Sequence, residues 1–178
     1  ASRLDQFAFM PAMSLGMAAS SITGQNIGAG KKDRVKDVYK WGSILTITVS
    51  GAVAAVVLAM PTAVIGLFTS DVEVLRIGAR YLNIVAFSYI PLGLMFITTG
   101  ILRGAGDTLP PMLFSVISLW IIRVPLAKYL SSFMSLGAEG IWIAVAVSSA
   151  IAMLMSQGYG RKYHYLKRKS VPKNRNIF

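Results

Sequence analysis

Long apolar stretches alternate along this sequence with short polar connections. Five of them are uncharged or nearly so: Phe7 to Ile27, Trp41 to Phe68, Tyr81 to Leu102, Leu109 to Met134 and Gly140 to Gly160. Each is close to the roughly 20 residues a helix needs to cross about 30 Å of hydrocarbon. They are too long and too closely spaced for strands, and backbone groups in lipid must be satisfied within the segment, so the pattern predicts helices. The expected fold is an all-α integral membrane protein, a bundle of about five transmembrane helices over residues 1–160 followed by a basic tail over 161–178. Only the fourth stretch carries charge, at Arg123 and Lys128.

Composition points the same way. Of 178 residues, 54% are hydrophobic and 14% charged, against roughly 25% charged in an ordinary soluble domain. A net charge of +11 would suggest nucleic acid in a soluble protein. Here the basic residues fall in short runs between apolar stretches, which suits membrane topology and argues against a nucleic-acid partner. Without cysteine, disulfides, thiolate zinc sites and cysteine nucleophiles are excluded. The single histidine, His164, has no second histidine with which to share a metal and reads as a surface or interfacial side chain. No cofactor and no metal site is expected.

The connections differ in sign. Lys31, Lys32, Arg34, Lys36 and Lys40 fill the first, Arg103 lies in the third, and the tail holds Arg161, Lys162, Lys167, Arg168, Lys169, Lys173 and Arg175. Lys and Arg in short loops stay cytoplasmic, so five crossings place the N-terminus outside and the C-terminus in the cytoplasm. Ala1 is not an initiator methionine and nothing before Phe7 resembles a signal peptide. The chain is therefore expected to be a piece of something longer, with an outward-crossing helix before it.

Few residues could carry chemistry. Pro11, Pro61, Pro91 and Pro125 lie inside the stretches, where each releases a backbone carbonyl; Pro91, beside Ser88 and Tyr89, is the one best placed for a gating kink. Gly16, Ala19, Ser20, Thr23 and Gly24 form a small-residue face suited to close helix approach. Met10, Met13 and Met17 share another face, where flexible thioethers either adapt to varied apolar ligands or fill space. The run from Gly24 to Lys31 superficially suggests a phosphate cradle, but a P-loop needs glycine where Gln25 stands and Ser or Thr where Lys32 stands. It reads as a helix end broken by glycines.

The connection from Arg103 to Thr108 is a glycine turn leading into Pro110 and Pro111, and Asp107 is placed to cap the next helix and pair with Arg103, in a structural or gating role. No Asp or Glu falls within a helix interior. Arg123 is the deep charge, about 14 residues or roughly 21 Å from the inner end of its helix; it either snorkels to the outer interface or lines a water-filled cavity. Gln25, Asn83, Tyr89, Thr98 and Thr99 are the buried polar candidates for solute contact. Acidic pairs, histidine clusters and nucleophile–base pairs are absent from the stretches, so an enzyme is not expected.

Three segments, in order, carry a resemblance. They are Pro11 followed by Ser20-Ser21-Ile22-Thr23-Gly24-Gln25-Asn26-Ile27-Gly28-Ala29-Gly30, then Gly100-Ile101-Leu102-Arg103-Gly104-Ala105-Gly106-Asp107-Thr108, then Trp120-Ile121-Ile122-Arg123-Val124-Pro125-Leu126-Ala127. With them the chain resembles the multidrug and toxic compound extrusion (MATE) family. The resemblance implies a twelve-helix transporter of two six-helix halves, with this chain matching helices eight to twelve and its partners being the N-terminal half, the lipid bilayer and amphipathic or cationic small molecules. It implies export by alternating access from the bacterial cytoplasmic membrane, driven by inward flow of protons or sodium. In the NorM-like branch an acidic residue stands about eight positions before the glycine matched by Gly100; here that position is Leu92. The chain thus looks closer to the DinF-like or general bacterial branch, whose coupling carboxylate lies in the first half. The expected cavity wall comprises Met13, Met17, Gln25, Asn83, Tyr89, Thr98 and Arg123, with Pro91, Arg103 and Asp107 as structural or gating residues. A lipid-linked saccharide flippase of the same superfamily and a non-transporting membrane subunit are the alternatives.

Overall fold

The computed structural model describes residues 2–133 and 136–169, with side chains of residues 2–5, 7, 8, 133 and 161–169 excepted. Among the described residues every regular element is helical. Helix α1 (Ser2–Gly28) ends where Gly30 turns to φ 72°. The Gly30 N–H reaches Ile27 O at 3.0 Å and the Lys31 N–H reaches Asn26 O at 2.8 Å, a Schellman closure that only a left-handed residue allows. The glycine run is a helix stop, as its spacing implied.

Helix α2 (Arg34–Ala59) breaks at Met60 (φ −139°, ψ 56°), and Pro61 opens the short α3 (Pro61–Gly66). Proline cannot continue the hydrogen-bond ladder but sits well in a first turn, so the apolar stretch that ran to Phe68 is two helices. Helix α4 (Val72–Val85), a 3₁₀ turn at Ala86–Ser88 and α5 (Tyr89–Gly104) form one rod. It starts before the expected Tyr81 because Asp71 caps it: Oδ1 accepts from the N–H groups of Glu73 at 2.8 Å and Val74 at 3.3 Å, and a cap of this kind is worth about 1 kcal/mol. The tightened turn lies one turn before Pro91, which has no N–H to offer the Phe87 carbonyl.

Helix α6 (Leu109–Val116) widens into a π stretch, Ile117–Arg123, continues as α7 (Val124–Lys128), and ends in a second π turn, Tyr129–Phe133. Pro125 again stands just beyond the irregular stretch, the usual cause of such a defect. Helix α8 (Ala138–Lys169) runs on past Gly160. Of the expected basic tail, residues 170–178 lie outside the described residues.

Among the described residues, four rods are long and apolar enough to cross a membrane: Arg34–Ala59, Val72–Gly104, Leu109–Ser132 and Ala138–Gly160. Helix α1 has the length, 27 residues, but its Ser, Thr, Gly, Gln and Asn content keeps it out of that set. Its place is set by packing. Gly16, Gly100 and Gly104 bring the backbones of α1 and α5 so close that a side chain on Gly100 would strike the Gly16 carbonyl and one on Gly104 the Ser20 carbonyl. Close backbone approach over small residues is how helices associate where lipid removes the hydrophobic drive.

The buried cluster of Ala54, Val57, Ile65, Leu82, Val85, Ala86 and Tyr89 fills one end of the bundle. At that end α4 meets α8 through the exposed Arg80–Glu139 ion pair at 2.8 Å and the Tyr81–Trp142 edge contact at 5.3 Å. At the other end Tyr159 of α8 donates to Asp107 Oδ2 at 3.1 Å and packs edge-on against Phe114 at 5.6 Å. The Lys31–Lys40 connection, Arg103 and the distal end of α8 therefore share that second end.

Candidate functional site

Helix α1 has two faces of different chemistry. Ala12, Ala19 and Thr23 are buried on the side facing α5 and α2. On the other side, Gln6, Met10, Met13, Met17, Ser21 and Gln25 recur every three or four residues and are exposed, the repeat that aligns side chains on one face. Met10, Met13 and Met17 are 60%, 48% and 67% exposed. Gln6, Phe9, Met10 and Met13 line an open groove of about 380 Å³. Behind it, the Phe9 ring meets Tyr89 edge-on at 5.4 Å.

Of the residues named from the sequence, the fold brings Met13, Met17 and Gln25 together on this face and disperses the others. Tyr89 lies in the buried cluster, 2% exposed, as the support of Phe9. Thr98 is buried, donates to Leu94 O at 3.0 Å, and packs toward Gly160 of α8. Asn83 is exposed on α4. Arg123 is half-buried in the π stretch, where its Nε–H donates to Ser148 Oγ of α8 at 2.9 Å. The hydroxyls of Thr98, Ser88 and Ser149 return to carbonyls of their own helices, the local bond that hides a hydroxyl in an apolar setting.

The α5–α6 connection differs from expectation in its bonding. Gly106 (φ 84°) makes the same closure as Gly30, with Gly106 N–H to Arg103 O and Asp107 N–H to Leu102 O, both at 2.9 Å. The residue at the start of α6 is Thr108, with no side-chain cap, and Asp107 neither caps α6 nor pairs with Arg103. The tight closure commits Asp107 to α5 and turns its carboxylate to Tyr159. Arg103 is exposed.

The MatE family model matches residues 1–129. The chain belongs to the MatE family. Among MatE relatives, the probable multidrug resistance protein YoeA of Bacillus subtilis (strain 168) is 33% identical over 150 residues, 84% of this chain and 32% of that protein. YpnP of the same organism, also a probable multidrug resistance protein, is 34% identical over 162 residues, 89% of this chain and 36% of that protein. The chain thus spans about a third of the length of these relatives. An outward-facing structure of a multidrug resistance MATE transporter superposes with TM-score 0.89 at 18% identity, covering 96% of this chain and 38% of that one. The inward-facing form gives 0.86 at 19% identity, covering 95% and 39%. This MatE fold is that of an all-helical membrane protein.

Gln6 and Phe9 line the groove yet are not among the residues singled out from the sequence. Stepping back from Met13 by three, four and seven residues along the helix reaches both Met10 and this pair, so the signal was the spacing itself.

Proposed function

We propose that this chain forms one wall of the solute pathway in a secondary active exporter of amphipathic, often cationic compounds. The observation that carries it is α1, a helix of membrane length that presents thioethers, a phenyl ring and amides around an open groove. The open faces of the other rods are of lipid type: Trp41, Leu45 and Val56 on α2, Leu113, Trp120 and Ile121 on the α6–α7 rod, Ile141 and Leu154 on α8. Thioethers and aromatic surface adapt to varied apolar shapes, while Gln6 and Gln25 orient a polar group. These groups bind and do not react, so the work is transport and not covalent chemistry.

Relatives named as multidrug resistance proteins, and similar folds solved facing inward and outward, support alternating access. The N-terminal half supplies the opposite wall and, with Leu92 in place of a carboxylate here, the group that couples transport to a proton or sodium gradient. Pro91 and its 3₁₀ turn act as the hinge of the α4–α5 rod. The lysine-rich end of the bundle faces the cytoplasm.

The test is dye efflux from cells expressing the full-length transporter with Met10, Met13 and Met17 all replaced by alanine. Loss of three thioether contacts of about 0.3–1.5 kcal/mol each raises the half-saturating concentration of a cationic dye by about fivefold or more, with expression unchanged because all three are exposed. Unaltered efflux removes α1 from the pathway.

A further inference from the structure

Arg123 takes no part in the wall formed by α1. Its guanidinium lies between the π stretch and α8, and its hydrogen bond among the described residues runs from Nε–H to Ser148 Oγ at 2.9 Å. Ser148 is fully buried and already committed: its hydroxyl donates to Val145 O at 3.1 Å, and its carbonyl accepts from Ser118 Oγ at 3.0 Å. A guanidinium fixed through Nε keeps both terminal nitrogens as a fork, the geometry that meets two oxygens of a phosphate side by side.

Depth decides what can reach that fork. Arg123 follows Leu109 by 14 residues, about 21 Å along the rod, which leaves about 9 Å of a 30 Å hydrocarbon layer. On α8, Ser148 follows Ala138 by ten residues, about 15 Å from the same end of the bundle. The fork is thus within snorkelling range of the headgroups at the end marked by the Arg80–Glu139 pair. Beside it, Trp120 and Val124 are 66% and 50% exposed, an apolar surface of the kind that acyl chains cover.

We propose that Arg123, held by Ser148, is the binding site for the phosphate of an anionic phospholipid, whose acyl chains lie along Trp120 and Val124. The bound lipid balances the buried charge and fixes the π-wound rod against α8.

Native mass spectrometry of the purified full-length protein, in detergent containing equal amounts of phosphatidylglycerol and phosphatidylcholine, tests this. The expected result is one tightly retained lipid with about fivefold preference for phosphatidylglycerol, abolished in Arg123→Gln. Ser148→Ala keeps the charge but frees the guanidinium, and lowers the preference to roughly twofold; it decides the matter if Arg123→Gln does not fold. Equal retention of the two lipids, or a preference unchanged in either folded variant, overturns the proposal. Displacement of the lipid by inorganic phosphate assigns the fork to an aqueous anion and overturns it as well.

Discussion

Replacing Gly16 by alanine tests the α1–α5 seam directly. A Cβ there sits 2.8 Å from Phe96 O, 3.1 Å from its carbonyl carbon and 3.2 Å from its Cβ, while ordinary contact begins near 3.4 Å. The obstacle is backbone, which cannot rotate aside, so the two helices must part by about 0.6 Å, at an overpacking cost of about 1–3 kcal/mol. Alanine returns roughly 0.5–1 kcal/mol in helix propensity. The clash therefore wins by about 1 kcal/mol, and the thermal midpoint of the detergent-solubilised protein falls by roughly 2–4 °C. Gly158→Ala is the matched control: it is an exposed glycine within α8 with nothing within 4 Å of its Cβ position, so propensity acts alone and the midpoint rises. The assay is heating followed by size-exclusion chromatography of the surviving protein. If Gly16→Ala matched Gly158→Ala in sign, the close approach of α1 and α5 would be refuted.

Two further outcomes follow from the ends of the rods. Tyr159→Phe keeps the ring contact with Phe114 but removes the hydroxyl bonded to Asp107; a hydrogen bond to a charged acceptor is worth about 1.5–3 kcal/mol, so the midpoint falls in the same heating assay, and adding Asp107→Asn to Tyr159→Phe lowers it little further. Pro91→Ala returns an N–H to the Phe87 carbonyl and straightens the 3₁₀ turn, so thermal stability holds or rises while dye efflux falls.

The helical rods were legible because a bilayer demands length and apolarity, and both can be counted along a chain. Which face of each rod meets which neighbour was much less so. In a soluble protein buried and exposed positions differ in polarity, but here Leu82, buried, and Leu113, open to lipid, are the same residue type. Tyr89 looked like a cavity residue because it is polar and near Pro91; packing of α3 and α4 around it put it in the core. Asp107 looked like a cap because it precedes prolines, but its partner Tyr159 lies far along the chain, and no local pattern announces such a pairing. The α1 stripe was partly visible, since Met13, Met17 and Gln25 keep helical spacing. The π winding before Pro125 was not, because proline signals a defect without saying whether the turn tightens, as before Pro91, or widens.

Helix α8 is longer than any membrane requires. Its 32 residues extend about 48 Å, whereas hydrocarbon and both headgroup layers together take about 40–45 Å. With Glu139 paired to Arg80 at one end of the bundle, the surplus length falls at the other end, as helix that continues beyond Gly160.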